Sequence, residues 1–383
     1  MGNVTYLASK PVQNGHSSRS GGKNPTGLPY SEVRMKQTHS KVSQRGELAL
    51  LGEIRQRAAS AVSRSQRSGL RLSIGDDCAL LAPHRNEELA VTTDLSIAGQ
   101  HFRLNWHQPE AVGHRVLARG LSDLAAMGAR PVAAFLSLGL PRELTVPASR
   151  RAESHSWVQR FLDGLLALAE AHSTPLAGGD LAESSVAVAD IVLAGAVPRG
   201  RALLRSGAKP GDMLYVTGAL GGAAAGLACL ENLAKAQPGR ANPPRIPKKF
   251  AARLAPHLYP QPRIPQGLWL QRHGLASAAL DVSDGLSTDL AHLCAESGVA
   301  AEVDASALPI HPGATLAQAL HGGEDYELLF TAPASARVPR SIAGVKITKI
   351  GCIVKARAGR PALTLISPQG AQPLEPQGCE HFR

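Results

Sequence analysis

Six short segments of the chain set a carboxylate beside glycine, serine or threonine: Gly75-Asp76-Asp77, Thr92-Thr93-Asp94, Ser122-Asp123, Gly178-Gly179-Asp180, Asp281-Val282-Ser283-Asp284-Gly285 and Gly322-Gly323-Glu324-Asp325. Carboxylates on tight turns, far apart in sequence, suit hard cations such as Mg2+, which take a few carboxylates and complete their shell with water or phosphate oxygens. Any one of these segments reads equally well as a helix cap or a turn. Six together, with no local lysine run to neutralise them, point to a site for several metal ions and a phosphorylated ligand. Phosphoryl transfer needs this set of residues, because the moving group spreads its charge over several oxygens. Rate then comes from cations that neutralise those oxygens and from holding donor and acceptor in line.

The elements that must position these residues are legible from periodicity. Leu48, Leu51, Ile54 and Ala58 give helical spacing over 47–62, and a helix over 110–127 carries Asp123. Residues 90–94 read as a short strand ending at Asp94, 135–140 as a strand stopped by Pro141, and 186–197 as a strand buried on both faces. A helix over 154–172 aligns Trp157, Phe161, Leu165 and Leu168 as a core face. The chain breaks at 198–201, after which a strand over 211–218 leads into a small-residue helix over 221–233. That junction is either a phosphate cradle at a helix N-terminus or a close packing contact that needs small residues. Neither the P-loop nor the dinucleotide glycine pattern occurs in it. Residues 237–249 are an exposed connection, and strands near 278–282, 300–303, 326–331 and 348–354 alternate with helices. No internal repeat is visible.

The segments Ser73-Ile-Gly-Asp-Asp-Cys-Ala-Leu-Leu81, Val91-Thr-Thr-Asp94 through His101-Phe102, Leu121-Ser-Asp-Leu-Ala-Ala-Met-Gly-Ala129, Ala177-Gly-Gly-Asp180, Gly200-Arg-Ala-Leu-Leu-Arg205 through Asp212, Leu280-Asp-Val-Ser-Asp-Gly-Leu286 and Gly322-Gly-Glu-Asp-Tyr-Glu-Leu328 occur in one order. In that order they resemble the thiamine-monophosphate kinase family of the aminoimidazole ribonucleotide synthetase superfamily, as does Pro260-Gln-Pro-Arg263. The resemblance implies an α+β protein of two domains. Residues 46–198 would form a mostly antiparallel sheet that pairs across a homodimer axis into a barrel, and 199–383 a mixed α/β domain. It implies Mg2+ held by Asp77, Thr92, Thr93, Asp94, Asp123, Asp180, Asp281 and Asp284, and ATP contacts from Gly179, Asp180, Arg205 and Ser283. His101, Glu324 and Cys379 match positions that face thiamine monophosphate. The acceptor is then a phosphate oxygen already ionised at neutral pH, so no covalent nucleophile is expected and transfer is direct. The alternatives are a superfamily relative that uses ATP to activate another small substrate, and a non-catalytic nucleotide-binding protein. Intact metal carboxylates count against the second.

Two positions depart from the family's pattern. Gly120 stands where an asparagine is usual, which removes an amide that would support the metal shell, and Cys379 stands where an aromatic would pack on the thiamine rings. The loss of stacking is about 1 kcal/mol.

Composition agrees independently. A chain of 383 residues, 44% hydrophobic with 38 glycines and 27 prolines, is a turn-rich globular protein of more than one core. There is no uninterrupted apolar run long enough to span a membrane. Five scattered cysteines without a Cys-x-x-Cys pair argue against disulfides and zinc and for a reducing cytoplasm. The net charge of +11 raises nucleic acid as a partner, but residues 1–45 carry seven lysines and arginines against the single acidic Glu32. Over half of the excess therefore lies in a polar segment outside the enzyme, which argues against a nucleic-acid surface. That segment reads as a disordered extension with Met35 as a later start, a transit peptide or basic arm being the alternative.

Overall fold

A computed structural model of the protein describes residue 50 and residues 52–58, 69–74, 78–147, 155–237 and 243–378. Asp77, Cys379, the extension 1–45, and Leu48 and Leu51 of the first helical stretch lie outside the described residues. Residues 52–58 of that stretch are helical, with Ile54 and Ala58 buried.

The first half is built on a four-stranded sheet ordered β3-β6-β4-β5, from β3 (Glu87–Ile97), β4 (Arg130–Leu140), β5 (Leu176–Glu183) and β6 (Val188–Pro198). Its pairs are antiparallel except β4 with β5. A small hairpin of β1 (Leu70–Leu72) and β2 (Leu80–Leu81) packs Leu70 with Val132, Ala133, Ala177 and Ala196. The helices α1 (Pro109–Ala126) and α2 (Trp157–Ala171) are joined through one core with Leu193 and Ile191 of β6. Ser156 and Gln159 close a capping box at the start of α2, and Trp157 stacks on Phe161 as core packing.

The second half is an eight-stranded sheet in which β7 (Met213–Thr217), β8 (Ala278–Asp281), β9 (Ala300–Asp304), β10 (Leu328–Ala332), β12 (Val345–Val354), β13 (Leu363–Ser367) and β14 (Gly370–Pro373) run in the order β14-β13-β9-β12-β7-β10-β8, with β11 (Ser341–Ile342) on β12. Only β13 with β9 is parallel. Around it lie α3 (Gly222–Lys235), α4 (Ala251–Leu258), α5 (Ile264–His273), α6 (Leu286–Ser297) and α7 (Leu316–His321). Fifteen of the eighteen residues of α1 are buried. A helix covered nearly all round is a central one, and α1 indeed touches β3 and β6 as well as α5 and β8. No helix among the described residues is long and apolar enough to cross a membrane.

Three strand expectations change. The strand ending at Asp94 is eleven residues long and carries Asp94 in its interior. β6 is buried on both faces, as expected, only over residues 193–197; before them Ala189 and Ile191 are buried while Val188, Asp190 and Val192 are half-buried. β4 lies inside its sheet, so the exposed apolar strand is the edge strand β3, whose Leu89, Val91 and Leu95 are 44%, 64% and 47% exposed. Each error has one cause: period-2 alternation fixes which residues share a face, but not whether a neighbour covers that face.

Candidate functional site

A cleft of about 850 Å³ opens where α1, β3, the end of β8 and the start of α3 converge, and one of its walls is acidic. Alternation along β3 points Thr92 and Asp94 toward α1. Thr92 Oγ1 donates to Asp123 Oδ2, and Asp94 Oδ1 lies 3.3 Å from the Arg119 guanidinium. Ser122, one residue before Asp123 on α1, donates to Asp281 Oδ2 at 2.6 Å. Burial raises the carboxyl pKa of Asp123, and raises that of Asp94 to about 6 against the pull of Arg119. Asp281 is pushed up to about 7 by burial and by the charge of Asp123. Arg205 lowers both Asp123 and Asp281 electrostatically, which puts its charge within reach of this wall.

Two turns complete that wall. The amides of Ser283, Asp284 and Gly285 all donate to Asp289 Oδ2 at 3.0 Å, so a carboxylate in the first turn of α6 holds the loop that presents Ser283 and Asp284 to the cleft. Burial and then the charges of Asp281 and Asp284 raise Asp289 to about 8. The second turn, 322–326, is laced to the first: Glu324 N–H donates to Ser283 O at 2.7 Å and Tyr326 N–H to Val282 O at 2.9 Å. A Cβ on Gly323 would stand 2.5 Å from Ser283 O, so the approach requires glycine. Glu324 and Tyr326 both adopt left-handed φ, +67° and +51°. Such conformations cost about 1–3 kcal/mol each and persist where surrounding bonds fix them.

At the other end of the cleft Arg115 of α1 grips Glu324 with two bonds of 2.6 and 2.7 Å. Beneath them His257 of α4 meets Arg115 Nη1 at 3.2 Å and His107 Nε2 at 3.0 Å. Burial, with the charge of Arg115, lowers His107 to about 3 and His257 well below its ordinary value, so both rings are neutral. His101 lines the same end, its Nδ1 accepting from the Ile97 amide at 3.1 Å. Trp106 supplies an aromatic face, with the Arg103 guanidinium 4.3 Å from the ring centroid.

Of the residues expected from sequence, Asp94, His101, Asp123, Asp281, Ser283, Asp284 and Glu324 line this one cleft, with Thr92 bonded to Asp123 behind them. Thr93 and Asp180 do not join them. Strand register places Thr93 in a row with Val192, Phe135 and Gly178, and Asp180 in a row with Ser137, Asp190 and Leu95, on the sheet face turned away from α1. Gly179, between Gly178 and Asp180 on β5, shares its row with Leu136, Ile191 and Asp94 on the α1-facing side of the sheet, but it is not among the residues lining the cleft. Among the described residues no three carboxylates, histidines or cysteines close into a ready metal cluster. The donor set nonetheless fits hard dications: four carboxylates share one cleft, and the buried ones hold protons above the ordinary carboxylate range for want of countercharge.

The junction before α3 is no phosphate cradle. The Asp325 carboxylate already takes the Gly221 and Ala223 amides at 2.5 and 3.0 Å, and a Cβ on Gly226 would stand 2.8 Å from His257 Cβ, so the small residues serve helix packing. Gly120 faces the sheet as well, where a Cβ would stand 2.6 Å from Leu193 Cδ1, and not the acidic wall. Sequence reasoning missed Arg115, Arg119, His107, His257 and Asp289. None of them carries a local motif; a buried charge inside an apolar helix, as at Arg115 and Arg119, was the available signal.

Residues 75–199 match the family model for the AIR synthase related protein N-terminal domain, and residues 209–360 that for the corresponding C-terminal domain. The thiamine-monophosphate kinase of Salmonella typhimurium is 39% identical over 333 residues, covering 83% of this chain and 94% of its own. Among solved structures, the thiamine-monophosphate kinase of Stenotrophomonas maltophilia superposes with a TM-score of 0.68 at 36% identity, covering 84% of this chain and 96% of its own. AaThiL complexed with AMPPCP and TMP gives 0.64 at 30% identity, covering 88% and 97%.

Proposed function

The chain belongs to the thiamine-monophosphate kinase family of AIR synthase related proteins, and from that premise we propose that its cleft transfers the γ-phosphoryl of ATP directly to the phosphate of thiamine monophosphate, giving thiamine diphosphate and ADP. The observation that carries the reading is the convergence of Asp94, Asp123, Asp281 and Asp284 on one cleft that also holds Glu324 and His101. Mg2+ held by those four carboxylates would neutralise phosphate oxygens during transfer. Arg205 and the Ser283 turn bind the ATP phosphates, the guanidinium being able to bond two oxygens at once. Glu324, His101 and Trp106 hold the acceptor's rings. The acceptor oxygen is ionised, so no side chain serves as base or nucleophile. Thr93 and Asp180, on the far sheet face, serve the bound state in a way that requires an element beyond those lining the cleft.

That element is a second copy of the chain. The edge strand β3 exposes Leu89, Val91 and Leu95 beside the face that carries Thr93 and Asp180, and an open apolar edge of this kind is covered in stable proteins. We infer a homodimer joined through this sheet; sedimentation of Val91→Glu as a monomer, with the parent a dimer, is the expected result. Cys78, Cys229, Cys294 and Cys352 are free thiols, which supports a reducing cytoplasmic compartment.

The test of function is direct. Incubation with ATP, Mg2+ and thiamine monophosphate should yield thiamine diphosphate in step with ADP. ADP release without thiamine diphosphate would favour a superfamily relative acting on another substrate, and nucleotide binding without turnover would favour a non-catalytic protein.

A further inference from the structure

Four-residue spacing along α1 sets three charged side chains in one row. Arg115, Arg119 and Asp123 follow one another at intervals of about 6 Å on a single helix face. Arg115 meets Glu324 at one end of the cleft, and Asp123 meets Thr92 in the acidic wall at the other. Arg119 lies between them, one turn from each, on a helix that its neighbours cover nearly all round.

Of the two guanidinium groups, that of Arg119 is the less committed. The Arg115 side chain is 7% exposed and spends its donors on both oxygens of Glu324 and on His257. The Arg119 side chain is 20% exposed and lines the cleft, and among the described residues its one ion pair is with Asp94 Oδ1 at 3.3 Å. A strong charge-assisted bond is about 2.7–2.9 Å long, so this contact leaves most of a five-donor fork to a ligand. The Tyr326 phenol, Asp94 and Glu324 all act on its charge, which puts it where the two ends of the cleft meet. Arg103, the other arginine of the lining, sits instead over the Trp106 ring, 4.3 Å from its centroid.

Joining two phosphates brings like charges together. Cations on the acidic wall would offset the charge of the donor, but the acceptor phosphate arrives with its own. We propose that Arg119 is a catalytic residue whose guanidinium bridges the acceptor phosphate and the transferring γ-phosphoryl group. One acceptor oxygen attacks the γ-phosphorus as the bond to the β,γ-bridging oxygen breaks, and ADP leaves with that electron pair. Arg119 moves no proton. It holds one oxygen of each group and offsets the charge that builds between them, a task that suits a planar fork better than a point charge. This inference rests on thiamine monophosphate being the acceptor.

Steady-state kinetics of the full-length protein tests it. Arg119→Ala should lower kcat about 100-fold while changing the KM for ATP less than about threefold. Arg119→Lys, which keeps a charge without the fork, should restore about tenfold of that loss. Guanidinium ion added at millimolar concentration should raise the turnover of Arg119→Ala and leave that of the parent unchanged, which a merely structural role would not produce. Competitive inhibition then separates phosphate recognition from packing. Thiamine, which lacks the phosphate, should inhibit Arg119→Ala and the parent alike, whereas the KM for thiamine monophosphate rises about tenfold in the variant. A kcat within about threefold of the parent, or an equal loss of affinity for thiamine and its monophosphate, would overturn the inference. Should Arg119→Ala not fold, Arg119→Lys carries the test: parental kcat overturns the bridge, and a drop of about tenfold supports it. Failure of the parent to form thiamine diphosphate at all would instead sink the functional reading beneath it.

Discussion

The two ends of the cleft solve opposite electrostatic problems. At the acidic end Asp94, Asp123 and Asp281 gather with only Arg119 and Arg205 against them, and burial drives their carboxyl pKa values upward. At the other end both carboxylate oxygens of Glu324 accept from Arg115 Nη2 and two neutral histidines lie behind, so its charge is compensated within the protein. The first end carries carboxylates short of countercharge, which the proposed cations would supply; the second has its charge matched by Arg115. The difference teaches how one cleft serves two ligands. A polyphosphate arriving with metal ions needs a site held in electrostatic debt, whereas an aromatic head group needs fixed donors and acceptors that cost nothing to organise on binding.

The sharpest way to break this contrast is at the acidic end. Asp123→Asn removes a charge from the metal wall, and turnover should fall by about 100-fold or more. The metal-free variant should be at least as thermally stable as the parent, because a carboxylate held uncomfortably in the fold is gone. Thiamine diphosphate formation and a thermal melt in EDTA check the two halves separately. Loss of stability with retained turnover would show that Asp123 is structural.

At the compensated end the same kind of change should act in the opposite sense. Arg115→Lys keeps the charge but loses the guanidinium whose Nη2 meets Glu324 and whose Nη1 meets His257, leaving both poorly partnered. It should cost about 2 kcal/mol in urea unfolding and raise the KM for thiamine monophosphate more than that for ATP. The figure is kept below that for a wholly buried pair because the Glu324 side chain is 29% exposed.

A smaller effect separates the ends by pH. In the folded protein Asp94 keeps its proton to about pH 6 and Asp281 to about pH 7, while the unfolded chain releases both near 3.8. The folded state binds more protons across that window, so without divalent cations its stability should fall as the pH rises from about 4 to about 7. Mg2+ should reverse the trend, raising Tm by several degrees more near pH 8 than near pH 5. An equal Mg2+ effect at both values would place the ions on other groups.

The smallest effect concerns Gly120. An asparagine there would press its Cβ on Leu193 Cδ1, a movable side-chain end, so Gly120→Asn should change stability by no more than about 1 kcal/mol and leave the Mg2+ requirement unaltered. A lowered Mg2+ requirement would show that the amide reaches the metal wall after all.

Residue types and order in the chain were enough for much of this. Of the six acidic segments, those at 92–94, 122–123, 281–285 and 322–325 contribute residues to one cleft, 178–180 does not, and 75–77 lies outside the described residues. Periodicity placed α1 within a residue and α2 within three residues at its start, and in α2 a buried stripe repeats along the helix's own sequence. The strands β5, β13 and β14 escaped notice: β13 and β14 are only five and four residues long, β5 carries Gly178 and Gly179, and their faces are set by neighbours distant in the chain.

What only the tertiary structure decided is which of the marked residues meet. Thr92 and Thr93 are indistinguishable in sequence, yet the pleat sends one to Asp123 and the other to the far face beside Val192. Asp325, beside Glu324 in the same acidic turn, is spent on capping α3, while Glu324 faces the cleft. His257 and His107, 150 residues apart, come within hydrogen-bond distance only when α4 is laid against α1. Sequence specifies the groups available for chemistry, because composition and local spacing are properties of the chain alone. Their pairing depends on long-range packing, and it is pairing that sets burial, charge and the direction of each hydrogen bond.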